Sequence, residues 1–232
     1  MRDVKTPVEG DDRLERLAAS PMSRRRLFVT GGSAAAVSAF VIACGDDDDD
    51  TTTSSSSNGS SADAMSDDSA LAQFGKGDLG ILNYALTLEY IEAAFYAEVV
   101  RSGLFKGANL ELIRSFGADE QAHVGALTAT VRKLGGKPAP RPKTTFPLDD
   151  ADSVIDLAAT VENLGAAAYL GQAARIENDE VLAAALSIHS VEARHAAALN
   201  TLTNQSFVPE GAFAKPADAK TVLDQVQPFL AG

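Results

Sequence analysis

Thr87-Leu-Glu-Tyr-Ile-Glu-Ala-Ala-Phe-Tyr96 returns 73 residues later as Thr160-Val-Glu-Asn-Leu-Gly-Ala-Ala-Ala-Tyr169. Each copy leads to a Glu-x-x-His. Glu89 lies 31 residues before Glu120 and its partner His123, and Glu162 lies 30 residues before Glu192 and its partner His195. Positions i and i+3 share a helix face, so each Glu-x-x-His presents a carboxylate and an imidazole to one point. Two matching pairs of helices, each carrying Glu and then Glu-x-x-His, would bring four carboxylates and two imidazoles to a shared centre. That is the pattern of a dinuclear metal site.

The segments around these residues read as helices. Apolar residues recur at spacings of three and four: Leu82, Ala85, Leu86, Ala93, Tyr96 and Val100 in a first helix from about Leu79, and Ile113, Phe116, Leu127, Val131 and Leu134 in a second. The third follows the candidate N-caps Asp149, Asp150 and Asp152, with Ile155, Ala158, Gly165, Tyr169 and Ile176 facing inward. The fourth carries Leu182, Ala185, Ile188, Leu199 and Leu202. All four repeat glutamates and both repeat histidines interrupt these apolar stripes. Gly135, Gly136 and Pro138 stop the second helix.

Fifteen residues from Gly136 to Asp150, with four prolines, separate helices two and three. Extended at roughly 3.3 Å per residue they reach about 50 Å, whereas a helix of about 27 residues is about 40 Å long. This linker can cross the whole bundle, while the connections near Gly103 to Gly107 and near Asn178 are short. Short, long, short predicts an all-α, antiparallel four-helix bundle over 77–206 with one long crossover. The tail, 207–232, has room for a short helix between Ala217 and Leu230.

Composition narrows the chemistry. The chain has 232 residues, 45% of them hydrophobic, enough for one ordinary core. A single cysteine, Cys44, excludes an intramolecular disulfide and any thiolate-rich metal site, so metal ligands must be oxygen and nitrogen. The formal net charge is −12. The first 44 residues hold 7 Lys/Arg and 5 Asp/Glu, leaving 13 against 27, or −14, for the rest. Such an acidic surface repels nucleic acid and anionic lipid.

Residues 1–44 resemble a twin-arginine export signal closing in a lipobox. Ser23-Arg24-Arg25-Arg26-Leu27-Phe28 opens an apolar stretch that ends in Val41-Ile42-Ala43-Cys44. The apolar run is short for a spanning helix and fits a signal core. The resemblance implies that Cys44 becomes a lipid-bearing N-terminus; the other reading is an uncleaved N-terminal anchor. Both place the remainder outside the cytoplasmic membrane, and Met1 and Met22 are alternative starts. Residues 45–76, beginning with Asp46 to Asp50 and runs of Thr and Ser, cannot recover their ordering entropy by burial and read as a solvated, disordered tether.

Four buried carboxylates would repel one another and lose their hydration. Two divalent cations balance four glutamates and two neutral histidines. Oxygen-rich ligation with two imidazoles suits iron, with manganese as the alternative. Glu92 competes with Glu89 for the first-helix position, but its counterpart in the repeat is Gly165, and symmetry selects Glu89. Tyr96 and Tyr169 lie two turns beyond Glu89 and Glu162 and read as hydrogen-bond partners of ligand carboxylates, radical hosts or plain core tyrosines. His189 reads as a core or supporting histidine, and Asp119 and Arg194 as groups that orient ligands or sit in solvent.

Glu89, Glu120-x-x-His123, Glu162 and Glu192-x-x-His195 resemble the diiron ligand set of the ferritin-like superfamily, as in rubrerythrin and bacterioferritin. With its export signal, the chain is most similar to exported bacterial ferritin-like domain proteins. The resemblance covers about residues 77–204 and implies bridging roles for one Glu of each half and terminal roles for the others. It implies two iron ions reacting with O2 or peroxide, an oxidoreductase of diiron oxidase, ferroxidase or peroxidase type. The alternative is a non-catalytic metal-binding or stress-protection module. A homodimer is compatible with either. No rubredoxin-like Cys-x-x-Cys module is present to deliver electrons.

Overall fold

A computed structural model of the chain describes residues 67–231. The signal segment, Cys44, both candidate starts and the tether as far as residue 66 lie outside the described residues. Four long helices, α1 (Gly77–Ser102), α2 (Gly107–Lys133), α3 (Ala151–Ala173) and α4 (Asp179–Leu202), are followed by α5 (Ala219–Val226) and a 3-10 turn, Gln227–Phe229. The helices α1 and α2 pack as one antiparallel pair and α3 and α4 as the other, with the crossover between them, as the connection lengths predict. No strand is formed among the described residues; Thr144 and Leu230 make an isolated bridge. No helix among them is long and apolar enough to cross a membrane.

Local chemistry sets the helix ends. Gly103 turns out of α1 at φ 74°, a left-handed conformation that costs glycine little. Asp150, one of the three cap candidates, accepts from the Ser153 backbone N–H while Ser153 reaches back to the Asp150 N–H, a reciprocal box. Asn178 caps α4 by accepting from the N–H groups of Glu180 and Val181. Asp78 on α1 accepts from the backbone of Glu177 and Asn178, which pins the α3–α4 turn to the start of α1. Asn83 ties the crossover down, accepting from the Ala139 N–H and donating to the carbonyls of Phe74 and Lys137. Phe146, from the middle of the crossover, wedges between Phe95 and Phe229.

Some inward positions differ from the sequence expectation. Val154 and Val181 take the core places assigned to Ile155 and Leu182, and Leu134 and Leu202 stand exposed at the C-terminal ends of α2 and α4. At the edge of an apolar helix stripe adjacent positions can exchange roles, and packing selects between them. Residues 67–76, read as the end of the tether, fold against the bundle instead. Leu71 is buried with Ile81, Tyr84, Val222 and Val226, and Asp67 accepts hydrogen bonds from the Gln172 amide and the Ala219 N–H. The polar run hid this because Asp67 is polar by composition yet satisfied by partners more than a hundred residues away.

The tail covers the outer face of α1 and α3. Ala219, Val222 and Val226 form the buried side of α5. Gly171 permits this docking: a Cβ there would lie 2.0 Å from the Ala217 carbonyl oxygen, while the Ala217 N–H donates to the Ala167 carbonyl.

Candidate metal centre

Mid-bundle, each of the four long helices turns a glutamate inward where its neighbours carry Leu, Ile or Tyr. Glu89, Glu120, Glu162 and Glu192 are fully buried, and His123 and His195 close the same space. One ligand atom from each of Glu89, Glu120, His123 and Glu192 falls within 4.8 Å of the others, and so does one from each of Glu120, Glu162, Glu192 and His195. The six residues predicted from the repeat are therefore brought together in two overlapping groups. Glu120 and Glu192 belong to both groups, which sequence spacing could not reveal. Were two ions bound, Glu120 and Glu192 would be the carboxylates common to both, with Glu89 and His123 serving one position and Glu162 and His195 the other.

Both histidines aim Nδ1 at the centre. His123 Nδ1 lies 3.0 Å from Glu120 Oε2, 3.0 Å from Glu192 Oε1 and 3.3 Å from Glu89 Oε2. His195 Nδ1 lies 3.0 Å from Glu120 Oε1 and 3.3 Å from Glu162 Oε2. The outer nitrogen of His195, Nε2, sits 3.3 Å from Asp119 Oδ2. A carboxylate on the far side of an imidazole fixes its tautomer and leaves the inner nitrogen free to coordinate. Phe116 stacks on the same ring at 4.1 Å between centroids and holds its plane. Arg194 stays on the exposed side of α4. His189 is outside the cluster and half-buried, its Nδ1 3.0 Å from the Ala166 carbonyl.

The tyrosines cross between the halves. Tyr96 on α1 donates to Glu162 Oε1 on α3, and Tyr169 on α3 donates to Glu89 Oε1 on α1. Each ties down one oxygen of a terminal glutamate and leaves Oε2 turned to the centre. Burial and the adjoining carboxylates push both phenols well above their ordinary range, so they remain donors.

The donor set fits a pair of cations. Glu89 Oε2, Glu120 Oε1, Glu162 Oε2, both oxygens of Glu192 and His195 Nδ1 are buried without a hydrogen-bond partner, six of the nine such side-chain atoms among the described residues. Orphaned lone pairs cost about 1–3 kcal/mol each, more when charged, unless something positive meets them. Without metal, protons take that role. Burial drives Glu89 and Glu162 well above the usual carboxylate range even though His123 and His195 hold them back. Burial works against the imidazolium forms, yet Glu120, Glu192 and Glu89 push His123 up to about 12, and Glu120 and Glu162 push His195 up to about 10. Burial also raises Glu120, but the imidazoles of His123 and His195 set against it prevail and hold it at about 2.

Residues 77–205 match the protein family described as the ferritin-like domain. The chain belongs to that family. Solved structures that match the chain include a ferritin-like, diiron-carboxylate protein from Bacillus anthracis, at 21% identity over 60% of this chain and 98% of that one, with a TM-score of 0.49. A conserved hypothetical protein from Mycobacterium tuberculosis matches at 19% identity over 67% of this chain and 97% of that one, with a TM-score of 0.47. No curated protein matches. This ferritin-like domain thus carries a buried carboxylate and histidine cluster that could bind metal.

One buried acid was set aside by the repeat. Glu92, aligned with Gly165, is only 3% exposed, and its carboxylate is turned toward the same interior. Burial, then the charges of Glu192 and Glu89, pushes it well above the usual range. The signal was present in the sequence, since a glutamate facing a glycine in the partner half has the room to turn inward.

Proposed function

We propose that this ferritin-like protein binds two iron ions, with manganese as the alternative, and reacts with O2 or peroxide as an exported oxidoreductase. One observation carries the reading: two four-residue ligand groups that share Glu120 and Glu192. When bound, a redox-active ion pair would supply the electrons that reduce the oxidant. The chain's own residues do the rest. Glu89 and Glu162, each anchored by a tyrosine from the opposite half, keep a free oxygen at the centre. Asp119 holds the His195 ring in the coordinating tautomer. The apolar residues around the centre, including Leu86, Phe95 and Leu199, exclude bulk water. The signal-like residues 1–44 support export by the twin-arginine route, with a lipid on Cys44 holding the domain at the outer face of the membrane.

Metal analysis of anaerobically purified protein, followed by stopped-flow mixing of the ferrous form with O2 or peroxide, tests the reading. Two irons per chain and an absorption change within seconds support it. Two ions whose spectrum ignores oxidant would instead support the non-catalytic metal-binding module, and no metal uptake would refute both.

A further inference from the structure

We propose that the loop between α4 and α5 docks on a lipid bilayer, with Phe207, Val208 and Phe213 as the side chains that enter it. This rests on the membrane tether read from residues 1–44 and is independent of the metal. Of the six exposed large apolar side chains among the described residues, these three fall within seven consecutive positions, with Phe207 at 68% and Phe213 at 86% exposure. Single exposed apolar residues are ordinary on any surface, but three on one turn mark a place of contact. Phe207 and Val208 border a groove of ≈ 390 Å³ floored by Ala193, Ala196 and Ala197, so the apolar surface continues from the loop onto α4.

The loop is suited to leave water. The Val208 N–H donates to the Ser206 hydroxyl, the Gly211 N–H to the Val208 carbonyl and the Lys215 N–H to the Glu210 carboxylate. Backbone groups paired within the loop lose little when the bilayer replaces their solvent. Charge is balanced as well. Within 203–217 the charged residues are Glu210 and Lys215, which cancel, whereas residues 45–232 as a whole carry 13 Lys/Arg against 27 Asp/Glu. A neutral loop is where so acidic a domain approaches headgroups at least electrostatic cost. The path of the chain selects a bilayer as the occupant. Asp67, the first described residue, accepts from the Ala219 N–H, two residues beyond Ala217, whose own N–H closes the loop onto the Ala167 carbonyl. The segment that follows Cys44 therefore enters the fold beside the base of the loop. The 22 residues between Cys44 and Asp67 span at most about 75 Å. A lipid on Cys44 keeps a bilayer within that reach, and a contact too weak to hold a free protein suffices for a tethered one.

Tryptophan is absent from the chain, so Phe213→Trp in the full, lipidated protein is a single reporter, and Ala129→Trp, on the exposed side of α2, is its reference. Each is reconstituted into phosphatidylcholine vesicles with and without brominated acyl chains. The Phe213→Trp emission should shift to the blue on reconstitution and lose most of its intensity to the brominated lipid, while the reference does neither. If the protein floats with the vesicles but Phe213→Trp behaves as the reference does, the docking is refuted and the tether stands. If the exported protein carries no lipid and does not float with vesicles, tether and docking fail together. A blue shift of Phe213→Trp in the lipid-free Cys44→Ser chain, growing with protein concentration in the absence of vesicles, would make a second copy the occupant and overturn the proposal. Hydrogen exchange decides without a tryptophan: residues 203–217 of the vesicle-bound wild type should be protected relative to the Cys44→Ser chain free in solution, and equal exchange there overturns the proposal.

Discussion

Removing metal should invert the pH dependence expected of an acidic protein. Glu89, Glu92 and Glu162 are all raised well above the 4.5 of an unfolded glutamate, chiefly by burial. Their stabilising contribution is complete below that value and is lost as pH rises, because the folded chain holds protons that the unfolded chain releases. His123 and His195, raised to about 12 and about 10, add the same sign above 6.5. Glu120, lowered to about 2, acts the other way, but its contribution is lost only in acid and does not alter the slope between pH 5 and 7. Each extra proton held changes stability by about 1.4 kcal/mol per pH unit. If two of the three glutamates keep theirs from pH 5 to 7, the metal-free fold loses about 3 kcal/mol per unit, a large part of an ordinary domain's stability. For a domain this size that is roughly 6–12 °C in Tm per pH unit. Metal loading displaces those protons, and affinity rises with pH. The assay is thermal melting of chelator-treated and metal-loaded protein at pH 5, 6 and 7. A metal-free Tm that stays flat or climbs over this range, or a loaded form that falls in parallel, would refute the reasoning.

Other outcomes follow from the shared ligands and their supports. Glu89→Ala removes a ligand from one group only and should leave about one ion per chain by elemental analysis, whereas Glu120→Ala, common to both groups, should leave neither tightly bound. Tyr96→Phe strands the buried Glu162 Oε1 and should cost about 1–3 kcal/mol in the metal-loaded protein, read by denaturant unfolding; a change of only a few tenths would mean that the hydroxyl does not hold the carboxylate. Asp119→Asn should lower affinity at the Glu162 and His195 position by about 10–100-fold with the other position unchanged, and equal losses at both would contradict the pairing of ligands to ions. Cys44→Ser should move the exported protein from the membrane fraction to the soluble one, and a protein that stays with the membrane would point to the uncleaved anchor.

The sequence by itself determined the four helices, their antiparallel order and the six inward side chains. These are properties of local periodicity, of linker length and of a repeat whose spacing survives in both halves. A helix face is dictated within a few turns, so Glu120 and His123, or Glu192 and His195, can be placed together without knowledge of the rest of the chain. What the tertiary structure alone decided are relations between helices. Sharing of Glu120 and Glu192 between two ligand groups depends on how far each pair of helices penetrates the bundle axis. The crossing of Tyr96 to Glu162 and Tyr169 to Glu89 depends on the two halves facing each other about a common centre. The burial of Glu92 against Gly165, and of Asp67 under α5, joins residues that are separated by 73 and more than 150 positions. In one dimension Asp67 looks solvated and Glu92 is only a rival for the place of Glu89; packing shows that water has been taken from both, and it is this loss of hydration that makes a cation or a donor necessary.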